Sequence, residues 1–142
     1  ARADLADAWP PAAQGTTFGG NPVACRAGLE TLRIIQEENL MAHAMEVGDY
    51  TQRRFHEAQR ELPLIGDVRG KGLMIGVELI NADGSPAGEV VKTVLKESRA
   101  SGLVLTKCGA STLRFAPPLI ITQEQARKGV DIVLEILGRH QW

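Results

Sequence analysis

The spacing of hydrophobic and polar residues changes along this 142-residue chain, and the changes predict its helices and strands. Apolar residues recur every three to four positions in four segments, as in amphipathic helices: 23–37, 40–61, 89–100 and 122–139. The period then shortens to two within 65–79, where apolar residues alternate from Leu73 to Leu79, as in a strand. Short apolar runs predict two further strands, at 103–105 and 112–116.

Residues that start and stop helices support these boundaries. Asn21 followed by Pro22 is typical of an N-cap and a first helical position. Thr122 and Gln125 have the spacing of a capping box, in which each side chain bonds to the other residue's main chain. Gly102 is expected to end the helix over 89–100, because a glycine accepts the left-handed conformation found there.

The predicted order is helix, helix, strand, helix, strand, strand, helix, after a short helix or turn around 4–9. Consecutive short strands favour a small, largely antiparallel sheet covered by helices, which is an α+β fold. Gly70 and Gly72 are expected to form a bulge or bend before the first strand. Residues 107–111 are expected to form a turn, and the first long helix is expected to be a linker.

Composition narrows the class of protein. The formal net charge is −1 and no basic stripe dominates, so we expect no nucleic-acid partner. No apolar run is long enough for a bilayer, and residues 1–13 do not resemble a signal peptide, so we expect no membrane partner and a cytoplasmic protein. Cys25 and Cys108 have no metal-ligand spacing, so we expect reduced thiols and no metal site.

The loop Gly15–Pro22 carries three glycines and two threonine hydroxyls directly before a helix. Glycines allow another molecule to approach the main chain, and a helix start favours an anion such as phosphate. The alternative is a plain connecting turn capped by Asn21, and local physics favours that alternative because most such turns only connect elements.

Arg114 is the strongest candidate among the charged residues. It lies between Leu113 and Phe115 in a predicted strand, where a guanidinium has to find water or an anion. Its planar fork matches a carboxylate, which is either a ligand or an acidic residue of this chain. We expect structural roles for the histidines, for Glu78 at a sheet edge, and for Arg69 in an ion-paired turn.

Four segments, in order, resemble class III aminotransferases, which include 4-aminobutyrate and acetylornithine aminotransferases. They are GTTFGGNPVAC at 15–25, VRGKGLMIGVE at 68–78, GLVL at 102–105 and TLRFAPPL at 112–119. The resemblance implies the C-terminal portion of a fold type I pyridoxal-phosphate enzyme. Residues 1–21 would end the large cofactor domain, 22–38 would form a linking helix, and 39–142 would form the C-terminal small domain.

The resemblance also implies site residues. Thr17 matches the threonine that binds the cofactor phosphate of the neighbouring subunit, with Thr16 and Phe18 beside it. Arg114 matches the arginine that binds a substrate carboxylate, and the family's dimers share their active sites. The lysine that forms the Schiff base with the cofactor would lie upstream. No catalytic residue is therefore expected in this segment, which alone should be inactive.

The substrates implied are an amino acid and a 2-oxo acid. Lys107-Cys108-Gly109 resembles the TCG of the 4-aminobutyrate branch, although Lys107 separates Thr106 from Cys108. The full enzyme would therefore move an amino group from an ω-amino acid such as 4-aminobutyrate to 2-oxoglutarate. Alternatives are an acetylornithine or ornithine aminotransferase, a racemase or decarboxylase relative, and a non-catalytic dimerisation module.

Overall fold

A computed structural model of the chain describes residues 2–10 and 15–139. The chain divides into two compact units, Ala1–Glu38 and Asn39–Trp142. The first unit contains the short helix α1, Ala3–Asp7, and the long helix α2, Pro22–Glu37. Both helices were expected, and α2 begins at the proline that follows the Asn21 cap. No residue of α2 is buried, although its sequence is amphipathic.

The second unit contains a four-stranded sheet and three helices. Its elements are α3 Leu40–Gln59, β1 Ile65–Lys71, β2 Met74–Leu79, α4 Gly88–Ala100, β3 Thr106–Cys108, β4 Thr112–Phe115 and α5 Gln123–Arg139. The strand order is β1-β2-β4-β3, and all neighbouring strands are antiparallel. The predicted α+β class, with a small antiparallel sheet covered by helices, is therefore confirmed.

The hydrophobic core lies between the helices and one face of the sheet. The apolar residues of β2 that alternate in sequence are buried together, with Val77 fully inaccessible to solvent. Phe55 of α3 packs on Phe115 of β4 with ring centroids 5.0 Å apart. Each fully buried side chain of this size contributes about 1.5–3 kcal/mol to folding. The other face of the sheet remains open and carries polar side chains.

The strand predicted from the alternation between Leu73 and Leu79 is confirmed as β2, whereas β1 was not predicted, and the two strands form a hairpin. Gly72 makes the turn with a φ of +54°, so the bend was placed correctly. The irregularity in pairing lies between Ile65 and Asp67, not at Gly70. Only two residues of β1, Ile65 and Val68, are buried. The sequence of β1 therefore shows no clear alternation of apolar and polar residues by which the strand could be recognised.

The predicted strand at 103–105 was also wrong. Gly102, with a φ of +83°, ends α4 as expected, and its N–H donates to Arg99 O at 3.1 Å. The Leu103 N–H donates to Ser98 O at 2.8 Å, so this residue completes the helix cap and does not pair with a strand. Sheet pairing begins only at Thr106, within β3.

The capping box of α5 is confirmed. The Thr122 N–H donates to Gln125 Oε1 at 3.0 Å, and the Gln125 N–H donates to Thr122 Oγ1 at 3.2 Å. None of the helices within 2–10 and 15–139 is both long and apolar enough to cross a membrane.

Candidate functional site

The glycine-rich loop before α2 is held by the side chain of Asn21. The Asn21 Nδ2 donates to Phe18 O at 2.6 Å, while its Oδ1 accepts from the Ala24 N–H at 2.9 Å. One side chain therefore joins the loop to the first turn of the helix. Gly20 has a φ of +75°, a conformation that side-chain-bearing residues rarely adopt. The expected N-cap role of Asn21 is confirmed.

Thr16, Thr17 and Phe18 are all exposed on this loop, and Phe18 retains 83% of its accessible surface. Neither threonine hydroxyl makes a hydrogen bond to any other described residue. Thr16 lies over Gly19, where an added Cβ would come within 2.1 Å of its Cγ2. Two hydroxyl donors are thus available beside the positive end of a 16-residue helix.

These residues fit a phosphate group. Pro22 has no N–H and Asn21 already accepts from the Ala24 N–H, so the first turn of α2 offers few free donors. A phosphate would therefore depend mainly on the threonine hydroxyls and on the main chain of the loop. The glycines keep that main chain open, since no atom of the described part of the chain lies within 4 Å of a Cβ added at Gly15 or Gly20.

Arg114 lies on the open face of the sheet in the second unit. Its neighbours in β4, Leu113 and Phe115, point into the core, so the strand alternation turns Arg114 outward. Its Nε–H donates to Thr106 Oγ1 at 3.0 Å. Among the described residues, no acidic side chain forms an ion pair with it. The alternative of an internal salt bridge is therefore contradicted within this part of the chain.

The open face places one residue from each strand in a row. Arg69 of β1 lies opposite Gly76 of β2, Gly76 lies opposite Arg114 of β4, and Arg114 lies opposite Thr106 of β3. Arg69 is neutralised by two carboxylates: its Nη1 lies 2.6 Å from Asp67 Oδ2 and 2.9 Å from Glu78 Oε2. These carboxylates, Asp67 first, raise the pKa of Arg69 above its usual value.

The positions of Arg69 and Glu78 on the open face differ from those predicted from the sequence. The expected ion pairing of Arg69 is confirmed, but the residue lies in strand β1 and not in a turn. Glu78 lies in β2, which has a strand on each side, and not at a sheet edge. Its half-buried carboxylate is explained by the ion pair with Arg69.

Sequence reasoning assigned no role to Thr106, which the structure brings to Arg114. The two residues are joined only through the β3–β4 register, and that register cannot be read from the sequence without knowing where β3 lies. The loop threonines lie in the first unit of the chain and Arg114 lies in the second. Within residues 2–10 and 15–139, no cluster of three or more potential ligands could hold a metal ion.

Comparison with known proteins supplies the family. The family model for class-III aminotransferases matches residues 1–137. The chain is 41% identical over 119 residues to an alanine/serine racemase from Pyrococcus horikoshii, which covers 82% of the chain and 25% of that protein. It is 37% identical over 137 residues to the 4-aminobutyrate aminotransferase GabT of Escherichia coli, covering 93% of the chain and 32% of that protein.

Solved structures with a similar fold include further enzymes. A phospholyase from Arthrobacter in complex with phosphoethanolamine superposes with a TM-score of 0.84 at 30% identity, over 90% of this chain and 31% of that chain. An acetylornithine aminotransferase from Elizabethkingia anophelis gives a TM-score of 0.80 at 28% identity, over 96% and 33%. The chain therefore spans about a quarter to a third of the length of these relatives. With residues 1–137 matched to the family model, the chain belongs to the class-III aminotransferases, a family of pyridoxal-phosphate enzymes.

Proposed function

We propose that this chain is the C-terminal part of a pyridoxal-phosphate-dependent transaminase. The full-length enzyme moves an amino group from an ω-amino acid, such as 4-aminobutyrate, to 2-oxoglutarate. The observation that carries this proposal is the guanidinium of Arg114, which stands without an acidic partner among the described residues on an open sheet face. Both substrates carry a carboxylate, which is the group that this side chain recognises best.

The resemblance to the family divides the chain into three parts. Residues 1–21 end the large cofactor domain, 22–38 form the linking helix, and 39–142 form the small domain. The resemblance places the lysine that holds the cofactor before the glycine-rich loop, and no lysine of this chain lies before Lys71. We therefore infer that the cofactor lysine lies outside this segment. We therefore infer that the segment alone is inactive, and that the cytoplasmic full-length enzyme is a homodimer with shared active sites.

Each half of the site has a distinct task. Thr17, assisted by Thr16 and Phe18, would hold the phosphate of the cofactor in the neighbouring subunit through its hydroxyl, which is unbonded among the described residues. Arg114 holds the substrate carboxylate, which fixes the distance between that carboxylate and the reacting amino group. When bound, pyridoxal phosphate supplies the electron sink that amino-group transfer requires.

The named activities of the relatives support an ω-amino acid. The chain is 36% identical to the 5-aminovalerate aminotransferase DavT of Pseudomonas aeruginosa, in addition to the similarity with GabT. A second candidate is amino-acid racemisation, favoured by the 41% identity with the Pyrococcus racemase and 39% with a leucine/methionine racemase from Thermococcus litoralis. An ornithine aminotransferase, 39% identical in Staphylococcus aureus, and a non-catalytic dimerisation module remain further alternatives.

The test of the activity uses the full-length protein loaded with pyridoxal phosphate. We expect glutamate to form from 4-aminobutyrate and 2-oxoglutarate. Conversion of L-alanine to D-alanine, without a 2-oxo acid, would instead establish the racemase. Full-length protein that retains no cofactor would contradict both and would support the module.

The test of Arg114 is its replacement by alanine. Losing a charge-assisted contact costs about 1.5–3 kcal/mol, so KM for each carboxylate substrate should rise roughly ten- to a hundredfold. Arg53→Ala is the matched control, since Arg53 is an exposed arginine of α3. Equal KM values in the Arg114 and Arg53 variants would contradict the assigned role.

The loop is tested separately through the cofactor. Thr17→Ala removes one hydroxyl donor and should speed the loss of pyridoxal phosphate during dialysis, measured by visible absorbance. Thr17→Ser keeps the hydroxyl and should restore retention. Loss at the wild-type rate in the alanine variant would show that Thr17 does not hold the phosphate.

A further inference from the structure

We propose that Thr106 is a positioning residue for Arg114, and that it selects how the arginine binds a carboxylate. The inference rests on the proposed function, because it concerns the same carboxylate site. Thr106 does not contact the substrate in this proposal. It fixes the guanidinium so that one particular edge faces outward.

The strand register brings the two side chains together. Thr106 is the first residue of the edge strand β3 and lies directly opposite Arg114 of β4. Side chains of directly opposed residues project from the same face of a sheet, and here that face is open. The Nε–H of Arg114 donates to Thr106 Oγ1 at 3.0 Å, a normal hydrogen-bond length.

This hydrogen bond decides which nitrogens remain available. A guanidinium can bind a carboxylate through two N–H groups on its side, Nε and one Nη, or through its end, where both Nη atoms point. Because Nε is occupied by Thr106, the side-on arrangement is blocked. The end-on pair remains free, since neither Nη atom makes a hydrogen bond to another described residue.

The other neighbours of Arg114 in the row do not provide this support. On the opposite side lies Gly76, which has no side chain. Beyond it, Arg69 is engaged by the carboxylates of Asp67 and Glu78 and contacts Thr112 at 3.4 Å. Within the described residues, Thr106 is therefore the side chain that restrains the guanidinium of Arg114.

The physical effect is preorganisation. An arginine side chain loses considerable rotamer freedom when it binds a ligand, and a restraint already present in the free protein lowers that cost. Among the residues that the structure describes, the hydroxyl of Thr106 accepts only from Nε, and it carries no charge that would compensate that of Arg114. An acidic residue at this position would restrain the arginine equally well but would compete with the substrate.

The experiment uses the full-length enzyme and glutarate, a dicarboxylate that has neither an amino nor an oxo group. Thr106→Val keeps the β-branched shape and removes the acceptor, and Thr106→Ser keeps the acceptor. Thr93→Val is the matched control, because the hydroxyl of Thr93 donates to Glu89 O within α4 and has no other partner in the described part of the chain. The readouts are the dissociation constant of glutarate by calorimetry, and KM and kcat for 2-oxoglutarate.

We expect Thr106→Val to raise the glutarate dissociation constant and KM about two- to tenfold, with kcat within twofold, because the arginine keeps its contact with the carboxylate but has to be ordered on binding. Thr106→Ser and Thr93→Val should bind glutarate like the wild type. In the Arg114→Ala background, Thr106→Val should cause no additional loss, because Thr106 acts through the arginine.

Three outcomes would overturn the inference. Weak binding in Arg114→Ala with unchanged binding in Thr106→Val would remove the role of Thr106 and leave the proposed function intact. Additional loss in the double variant would show that Thr106 acts independently of Arg114. Unchanged binding in Arg114→Ala would reject the carboxylate site itself, and the positioning role with it.

Discussion

Replacing Gly48 by alanine should destabilise the second unit, although the same change usually stabilises a helix. Gly48 is a buried residue in the interior of α3, facing the turn of the β1–β2 hairpin. A Cβ added there would lie 2.1 Å from the carbonyl oxygen of Gly72, 2.3 Å from its carbonyl carbon and 2.8 Å from its Cα. All three atoms belong to the backbone, so no side chain can rotate away.

The magnitude follows from two opposing effects. In an exposed helix interior, alanine is favoured over glycine by about 0.5–1 kcal/mol. Here the 2.1 Å approach falls more than about 1 Å short of normal van der Waals separation, so α3 and the hairpin have to move apart. Overpacking of this kind costs about 1–3 kcal/mol. The clash therefore outweighs the propensity, and we expect a net loss of roughly 1–2 kcal/mol.

The assay is the midpoint of thermal unfolding, with Gly129→Ala as the matched control. Gly129 is a helical glycine of α5, where a Cβ would meet Leu103 Cδ1 at an ordinary distance of 3.5 Å. We expect the midpoint to fall for Gly48→Ala and to rise slightly for Gly129→Ala. A change of 1 kcal/mol corresponds to about 4–8 °C for a domain of this size. Equal or higher midpoints for Gly48→Ala would refute the close contact between α3 and the hairpin.

Three further substitutions test local features. Asn21→Ala removes the cap of α2 and should cost about 1 kcal/mol, seen as faster amide exchange in the first helical turn; unchanged exchange would contradict the cap. Thr122→Ala should lower stability by a similar amount through the capping box of α5, whereas a loss confined to Gln125→Ala would argue against reciprocal bonding. Ser98→Ala should raise the unfolding midpoint, because the buried Ser98 hydroxyl has no hydrogen-bond partner among the described residues; a lower midpoint would reveal one.

The sequence predicted the helices well because their signals are local. The cap at Asn21, the capping box of α5 and the glycine at 102 each depend on a few adjacent residues, and all three form as expected. The strands were less accessible, because a strand is defined by its partner. β1 buries only two side chains and β3 buries none, so neither carries a hydrophobic alternation of its own.

The same distinction applies to the candidate site. Arg114 was recognisable as an outward residue between two buried neighbours and from its family motif. Its partner Thr106 was not, because eight positions separate the two residues in sequence and only the β3–β4 register joins them. The lack of an acidic partner for Arg114 within 2–10 and 15–139 was likewise unpredictable from a chain with 17 acidic residues, since ion pairing depends on which strands are adjacent.

The hairpin glycines in the segment at 68–78 are explained by packing and need no role in the reaction. A Cβ at Gly70 would lie 2.4 Å from Met74 O, and Gly72 combines a positive φ with the close approach to α3. Both positions are thus fixed by packing, whatever the chemistry. Relatives named as racemases and as aminotransferases are both at least 36% identical to this chain, so overall similarity does not separate the two activities. Within this chain, we therefore propose that side chains on the open face of the sheet, where Arg114 and Thr106 lie opposite each other, contribute to specificity.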